Sequence, residues 1–168
     1  SLPIIASSAA QWSAEKPNLY TLVLENGEDV RSCRVGFRDI RIEGHAVLVN
    51  GRKVKFHGVN RHEASPENGW TVTLADMEAD IALMKRHNID TVRTSHYPDH
   101  RLWYDLCDRH GLYVMAEANV EGHEPGYCEH ALGRMPMWEH TIVERNKRNV
   151  LNWRNHASVV FWSLGNET

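Results

Sequence analysis

No run of about 18 apolar residues occurs in this chain, so nothing in it reads as a membrane-spanning helix. Cysteine is scarce. Cys33, Cys107 and Cys128 are an odd number with no C-x-x-C pair, which argues against a disulfide framework and a thiolate zinc site. Three reduced or incidental thiols favour a reducing compartment; a cytoplasmic location is expected, with a periplasmic or secreted one left open. Basic excess is missing too. The 19 Lys and Arg face 22 Asp and Glu, for a formal net charge of −3, which argues against nucleic-acid binding by phosphate neutralisation. There is no basic n-region before Leu2-Pro3-Ile4-Ile5, so the start reads as an excised segment rather than a signal peptide. What the chain does have is 11 His and 6 Trp, in 168 residues whose 42% apolar and 24% charged fractions suit a globular protein.

The first third reads as β-structure. Residues 19–24 and 30–37 form extended runs around a turn at Asn26-Gly27, and residues 45–49 and 52–56 flank Asn50-Gly51. From residue 54 the rhythm changes. Residues 54–60 read as a strand that places His57 in the core. Thr73 is a helix N-cap with Asp76 as capping-box partner, followed by Leu74, Met77, Ile81 and Met84 on one face. A strand over 89–94 precedes a helix opened by Pro98 and Asp99 and stopped by Gly111. A third strand at 112–116, a long loop over 119–136, a helix over 137–153 and a strand over 158–164 complete the order. That last helix turns Trp138, Ile142, Val143 and Val150 inward.

Strands that alternate with helices imply parallel pairing through crossovers, hence a doubly wound sheet or a (β/α)8 barrel. No G-x-G-x-x-G follows any strand, which removes the main support for a dinucleotide-binding domain. Polar clusters follow each strand's C-terminal end instead, and barrel enzymes build their sites there. A full barrel takes roughly 250 residues, so this chain holds about half of one.

Each cluster carries two readings. Glu167, after Ser163-Leu164-Gly165-Asn166, is a general acid/base or a frayed terminus. Glu121 and His123, with Glu167 nearby, are ligands of a hard cation such as Mg²⁺ or part of a solvated loop. Arg93, His96 and His62 either meet substrate hydroxyls and developing charge or bond loop carbonyls. Glu117 touches the site or pairs with Arg93. Trp103, Trp138 and Trp153 are packing residues, whereas Trp162 either lines a sugar platform or packs strand on helix.

Four blocks then carry a family resemblance. They are Phe56-His57-Gly58-Val59-Asn60-Arg61-His62-Glu63, Val92-Arg93-Thr94-Ser95-His96-Tyr97-Pro98, Asp108-Arg109-His110-Gly111-Leu112-Tyr113-Val114 and Trp162-Ser163-Leu164-Gly165-Asn166-Glu167. In this order and spacing the chain resembles glycoside hydrolase family 2, and within it the LacZ-type β-galactosidases, from about residue 17 onward. The resemblance implies that residues 1–40 end an immunoglobulin-like β-sandwich and that residues 41–168 are the first half of a TIM-barrel catalytic domain. It implies a retaining hydrolase of terminal β-D-galactosides. Glu167 matches the acid/base, and Asn166 the residue that bonds the sugar 2-hydroxyl. Glu121, His123 and Glu167 match Mg²⁺ ligands; Na⁺ is a further expected ion whose ligands this stretch does not identify. Arg93, His62 and His96 match substrate-positioning residues. The nucleophilic Glu has no counterpart here, so the chain alone is expected to be inactive. The loop Glu124-Pro125-Gly126-Tyr127-Cys128 departs from the usual pattern. A homo-oligomeric full-length enzyme is left open.

Three rivals remain. The first is a β-glucuronidase or β-mannosidase of the same family, against which the Glu121/His123 pair argues. The second is a non-catalytic sugar-binding scaffold. The third is a metallohydrolase working through Glu121, His123 and a water.

Overall fold

The computed structural model describes residues 8–123 and 131–168. The expected departure at residues 124–128, Cys128 included, lies outside the described residues. The chain opens with an antiparallel hairpin of β1 (Tyr20–Asn26) and β2 (Asp29–Val35). A meander follows, of β3 (Ile40–Glu43), β4 (Ala46–Val49) and β5 (Arg52–Val54). Asn50 (φ 52°) and Gly51 (φ 74°) turn β4 into β5, and both take the positive φ that a two-residue hairpin turn demands.

The repeating unit then begins: β6 (Gly58–Arg61), α1 (Leu74–Arg86), β7 (Thr91–Thr94), α2 (Arg101–His110), β8 (Tyr113–Glu117), α3 (Glu139–Trp153) and β9 (Val159–Ser163). The sheet order is β6-β7-β8-β9, with every pairing parallel. This is part of a (β/α)8 barrel preceded by antiparallel strands.

Local chemistry explains the helix ends. The Thr73 side chain accepts from the Asp76 amide, and the Asp76 carboxylate accepts from the Thr73 amide, so two otherwise orphan donors are satisfied at the start of α1. Helix α2 stops at Gly111, which takes φ 73°. A Cβ there would stand 2.1 Å from the Ala14 carbonyl oxygen, so only glycine fits.

The sheet separates two apolar layers. On the helix side, Val92, Val114, Ala116 and Val159 pack against Met77, Ile81 and Met84 of α1 and against Trp103, Leu106 and Cys107 of α2. Beneath the strands' N-terminal ends, Trp12, Ala14, Val49, Tyr113 and Ala157 form a second cluster. Trp12 is completely buried, and its indole N–H donates to the Asp108 carbonyl at 2.8 Å. Truncating a buried Trp costs about 3–5 kcal/mol as a rule, so this anchor outweighs any single backbone bond around it. Arg38 adds bonds to the Ala157 and Val159 carbonyls, both at 2.5 Å. The lead-in therefore plugs the bottom of the strands and leaves their C-terminal ends open.

Three expectations need correction. The strand expected over 54–60 is broken, with β5 ending at Val54 and β6 starting at Gly58. His57 lies in the break, exposed and 3.7 Å from Asp90, because the chain must leave the meander before it enters the barrel. The second helix starts at Arg101 with His100 as its cap, since Pro98 and Asp99 belong to the preceding loop. Val143 on α3 and Trp138, just before it, face outward, as does Leu74 on α1. Asn149 is the buried α3 residue, and its amide donates to the Ala116 carbonyl at 3.1 Å. The apolar positions of α3 extend past a sheet that carries no strand beyond β9 among the described residues.

Candidate active site

In a strand, successive side chains point to opposite faces. With Val92, Val114 and Ala116 turned toward the helices, Arg93 and Glu117 point the other way, toward the barrel interior. Glu117 is fully buried and organises the strand tips. One carboxylate oxygen accepts from Arg93 Nε and from Ser163 Oγ, each at 2.6 Å. The other lies 3.0 Å from His96 Nδ1. The Glu117 backbone amide donates to Thr94 Oγ1 at 2.9 Å. Burial pushes the Glu117 carboxyl up, but the hydrogen bonds from Arg93, Ser163 and His96 outweigh it and hold it below its ordinary value.

Arg93 reaches onward. Its terminal nitrogen donates to Asn166 Oδ1 at 2.9 Å and lies 3.1 Å from His96 Nδ1. The Asn166 amide nitrogen in turn sits 3.2 Å from each Glu121 carboxylate oxygen. Beyond the ends of β8 and β9 a parallel bridge joins Glu121 to Asn166, with Asn166 donating to the Val120 carbonyl and Gly122 to the Asn166 carbonyl, both at 2.9 Å. This bridge brings Glu121 and His123 beside Asn166 and Glu167. His123 Nδ1 lies 3.9 Å from Glu167 Oε2. Glu167 takes φ 55°, a left-handed conformation that costs a non-glycine residue energy and is concentrated at functional sites.

His62 joins from β6, its ring edge-on to His96 at 5.1 Å between centroids. The β6 tip is held by Arg61, which is buried over Trp103 at 3.9 Å and donates to Asp99 at 2.7 Å and to Asp80 at 3.0 Å. Burial pushes the Asp99 carboxyl up to about 7 despite the pull of Arg61.

Every candidate residue thus lies at one rim. The two carboxylates and the imidazole expected to hold a hard cation are not gathered as a ligand cluster: His123 Nδ1 stands 3.9 Å from Glu167, and Glu121 is turned onto the Asn166 amide. A tighter group of ligating atoms, Asp105, Asp108 and His156, lies elsewhere. Its Asp108 is occupied by His156 Nδ1 and by the Ser158 amide, each at 2.7 Å, and these bonds tie the loop before β9 to α2. A cleft of about 750 Å³ opens at the opposite end of the strands, between Ser13, Lys53, Lys85 and Tyr113. Barrel chemistry sits at the C-terminal ends, so the rim takes precedence over this cleft.

The family model for glycosyl hydrolases family 2, TIM barrel domain, matches residues 40–168. The chain belongs to glycoside hydrolase family 2. Among curated relatives of this family, the chain is 43% identical over 174 residues to a beta-galactosidase of Priestia megaterium (strain DSM 319 / IMG 1521), covering 96% of this chain. It is 46% identical over 164 residues to a beta-galactosidase of Vibrio vulnificus (strain YJ016), covering 94%. The chain spans only 17% and 16% of the lengths of those two relatives. Among solved structures it matches the GH2 beta-galacturonidase of Eisenbergiella tayi bound to galacturonate, with TM-score 0.85 and 32% identity over 96% of this chain and 28% of that one. It also matches the beta-glucuronidase of Ruminococcus gnavus in complex with uronic isofagomine, with TM-score 0.86 and 26% identity over 95% and 29% of the two chains.

Two residues of this family 2 rim had weak sequence signals or none. Glu117 carried two readings, and the pairing with Arg93 is the one observed. Ser163 gave no such signal: counted in twos from Val159, which faces the helices, it would face them too, and the register shift that pairs Met115 with Phe161 and Glu117 with Ser163 turns it to the Glu117 side.

Proposed function

We propose that the full-length protein is a retaining β-glycosidase acting on terminal β-D-galactosides, with Glu167 as general acid/base. The juxtaposition that carries this reading is Asn166-Glu167 beside Glu121 and His123 at the strand tips. The names of the curated relatives support the galactoside. In this reading residues 1–40 end a β-sandwich, and the barrel's later strands supply the nucleophile.

Glu167 donates its proton to the glycosidic oxygen while the second carboxylate attacks the anomeric carbon, and it then takes a proton from the incoming water. The two carboxyls stand ~5 Å apart. Arg93 keeps the Asn166 amide fixed so that it can meet a sugar hydroxyl, and His62 and His96 line the same face. Glu121, His123 and Glu167 would hold Mg²⁺, whose positive charge would sit beside the acid/base.

The solved structures favour a second reading, a β-uronide as substrate. A panel of aryl β-galactoside, β-glucuronide and β-galacturonide, assayed with the full-length enzyme, separates the two. A preference of about 10³-fold or more in kcat/KM for the galactoside is expected, because a site built to hydrogen-bond the sugar's 6-hydroxyl rejects a substrate that carries a carboxylate in its place. An equal or reversed preference overturns the galactoside.

A further inference from the structure

We infer that Glu117 is the positioning residue of this site: its buried carboxylate fixes Arg93 and His96 and, through Arg93, sets the amide of Asn166. The inference rests on the glycosidase reading above. Glu117 is 0% exposed, so it cannot itself meet a substrate. Its influence is carried by hydrogen-bond chemistry. A carboxylate only accepts and a guanidinium only donates. With Arg93 Nε spent on Glu117 at 2.6 Å, the terminal nitrogen is aimed at Asn166 Oδ1 at 2.9 Å. Asn166 then has its oxygen committed to a donor and its nitrogen to the Glu121 carboxylate, and a flip of the amide would break both ends at once.

The same logic fixes His96. Its Nδ1 lies 3.0 Å from a Glu117 oxygen and 3.1 Å from an Arg93 nitrogen. Only the carboxylate can accept, so Nδ1 carries the proton and Nε2 is the nitrogen left for other chemistry. Ser163 Oγ at 2.6 Å and the Glu117 amide bonded to Thr94 lock the carboxylate across three neighbouring strands. A buried ion pair is weak as a source of stability but strong as a device for orientation.

The test is a double-mutant cycle in the full-length enzyme, with rates normalised to active sites counted by a mechanism-based inactivator. Glu117→Gln keeps the shape and removes the charge; Asn166→Ala removes the far end of the chain. Each single variant is expected to lower kcat/KM about 10²-fold. The double variant is expected to lose about 10³-fold rather than the 10⁴-fold product, because both changes break one linked unit. A merely structural Glu117 lowers the melting temperature and the count of active sites, yet its rate loss multiplies with that of Asn166→Ala; that result overturns the inference. Should Glu117→Gln fail to fold, Ser163→Ala loosens the same carboxylate without removing its charge. A smaller loss that is again less than multiplicative with Asn166→Ala supports the inference, and a multiplicative one overturns it. If the wild-type protein turns over no β-glycoside, the glycosidase reading falls and this inference with it.

Discussion

Glu167→Gln in the full-length enzyme slows cleavage of a glycoside with a poor leaving group by about 10²–10⁴-fold, and cleavage of an activated aryl glycoside far less. The asymmetry follows from the role proposed for this carboxyl. An alkoxide leaves badly unless it is protonated as the bond breaks, whereas a nitrophenolate leaves without help. Glutamine keeps the side chain's size and its place beside His123 but has no proton to give. The measurement is kcat/KM for a disaccharide and for a nitrophenyl glycoside, both at saturating Mg²⁺ so that any weakened metal binding does not intrude. Equal slowing of the two substrates contradicts the acid role.

Gly122→Ala is expected to cost about 10²-fold or more in kcat/KM while the melting temperature barely moves. A Cβ at residue 122 would stand 2.2 Å from the Glu167 carbonyl oxygen, 2.9 Å from its carbonyl carbon and 3.0 Å from Thr168 Cα. These are backbone atoms, and no rotamer change relieves them. The two strand tips would have to part, which carries Glu167 away from Glu121 and His123. A misplacement of about 1 Å is enough for such a loss. The core clusters lie among the strands and helices below this rim, so the fold keeps its main support. Gly165 is under the same pressure from the other side, where a Cβ would meet the Val120 carbonyl oxygen at 2.5 Å. Wild-type rates in Gly122→Ala would show that the close approach of the two tips is not needed.

What the sequence made legible was mostly short-range. The Thr73–Asp76 capping box, the Asn50-Gly51 turn and the Gly111 stop each depend on residues a few positions apart, and each stands as expected. The parallel pairing of β6 to β9 follows from alternation, whereas their sequential order, which separates a barrel from a doubly wound sheet, does not. Legibility failed where distant parts decide. His57 carries an apolar-run signal, yet a break between two sheets exposes it. Val143 obeys helical spacing on α3, but the strand it would cover is not among those described. The candidate site shows both sides. Arg93, His96, Asn166 and Glu167 were visible as polar tips after apolar strands. The bridge from Glu121 to Asn166 joins residues 45 positions apart in sequence, and only the pairing of β8 with β9 reveals it. Glu117 was ambiguous for the same reason, since its four partners lie on two distant stretches, residues 93–96 and Ser163.

In the proposed reaction Glu167, at the tip of β9, acts with a second carboxylate from beyond this chain in a double displacement. Proton NMR of the first product formed by the full-length enzyme, recorded before the sugar mutarotates, tests it most directly. Two inversions at the anomeric carbon return the starting configuration, so the account predicts that the β-anomer appears first and the α-anomer only as mutarotation proceeds. An α-anomer formed first would mean a single displacement by water, with carboxyls ~6.5–9.5 Å apart, and would contradict it.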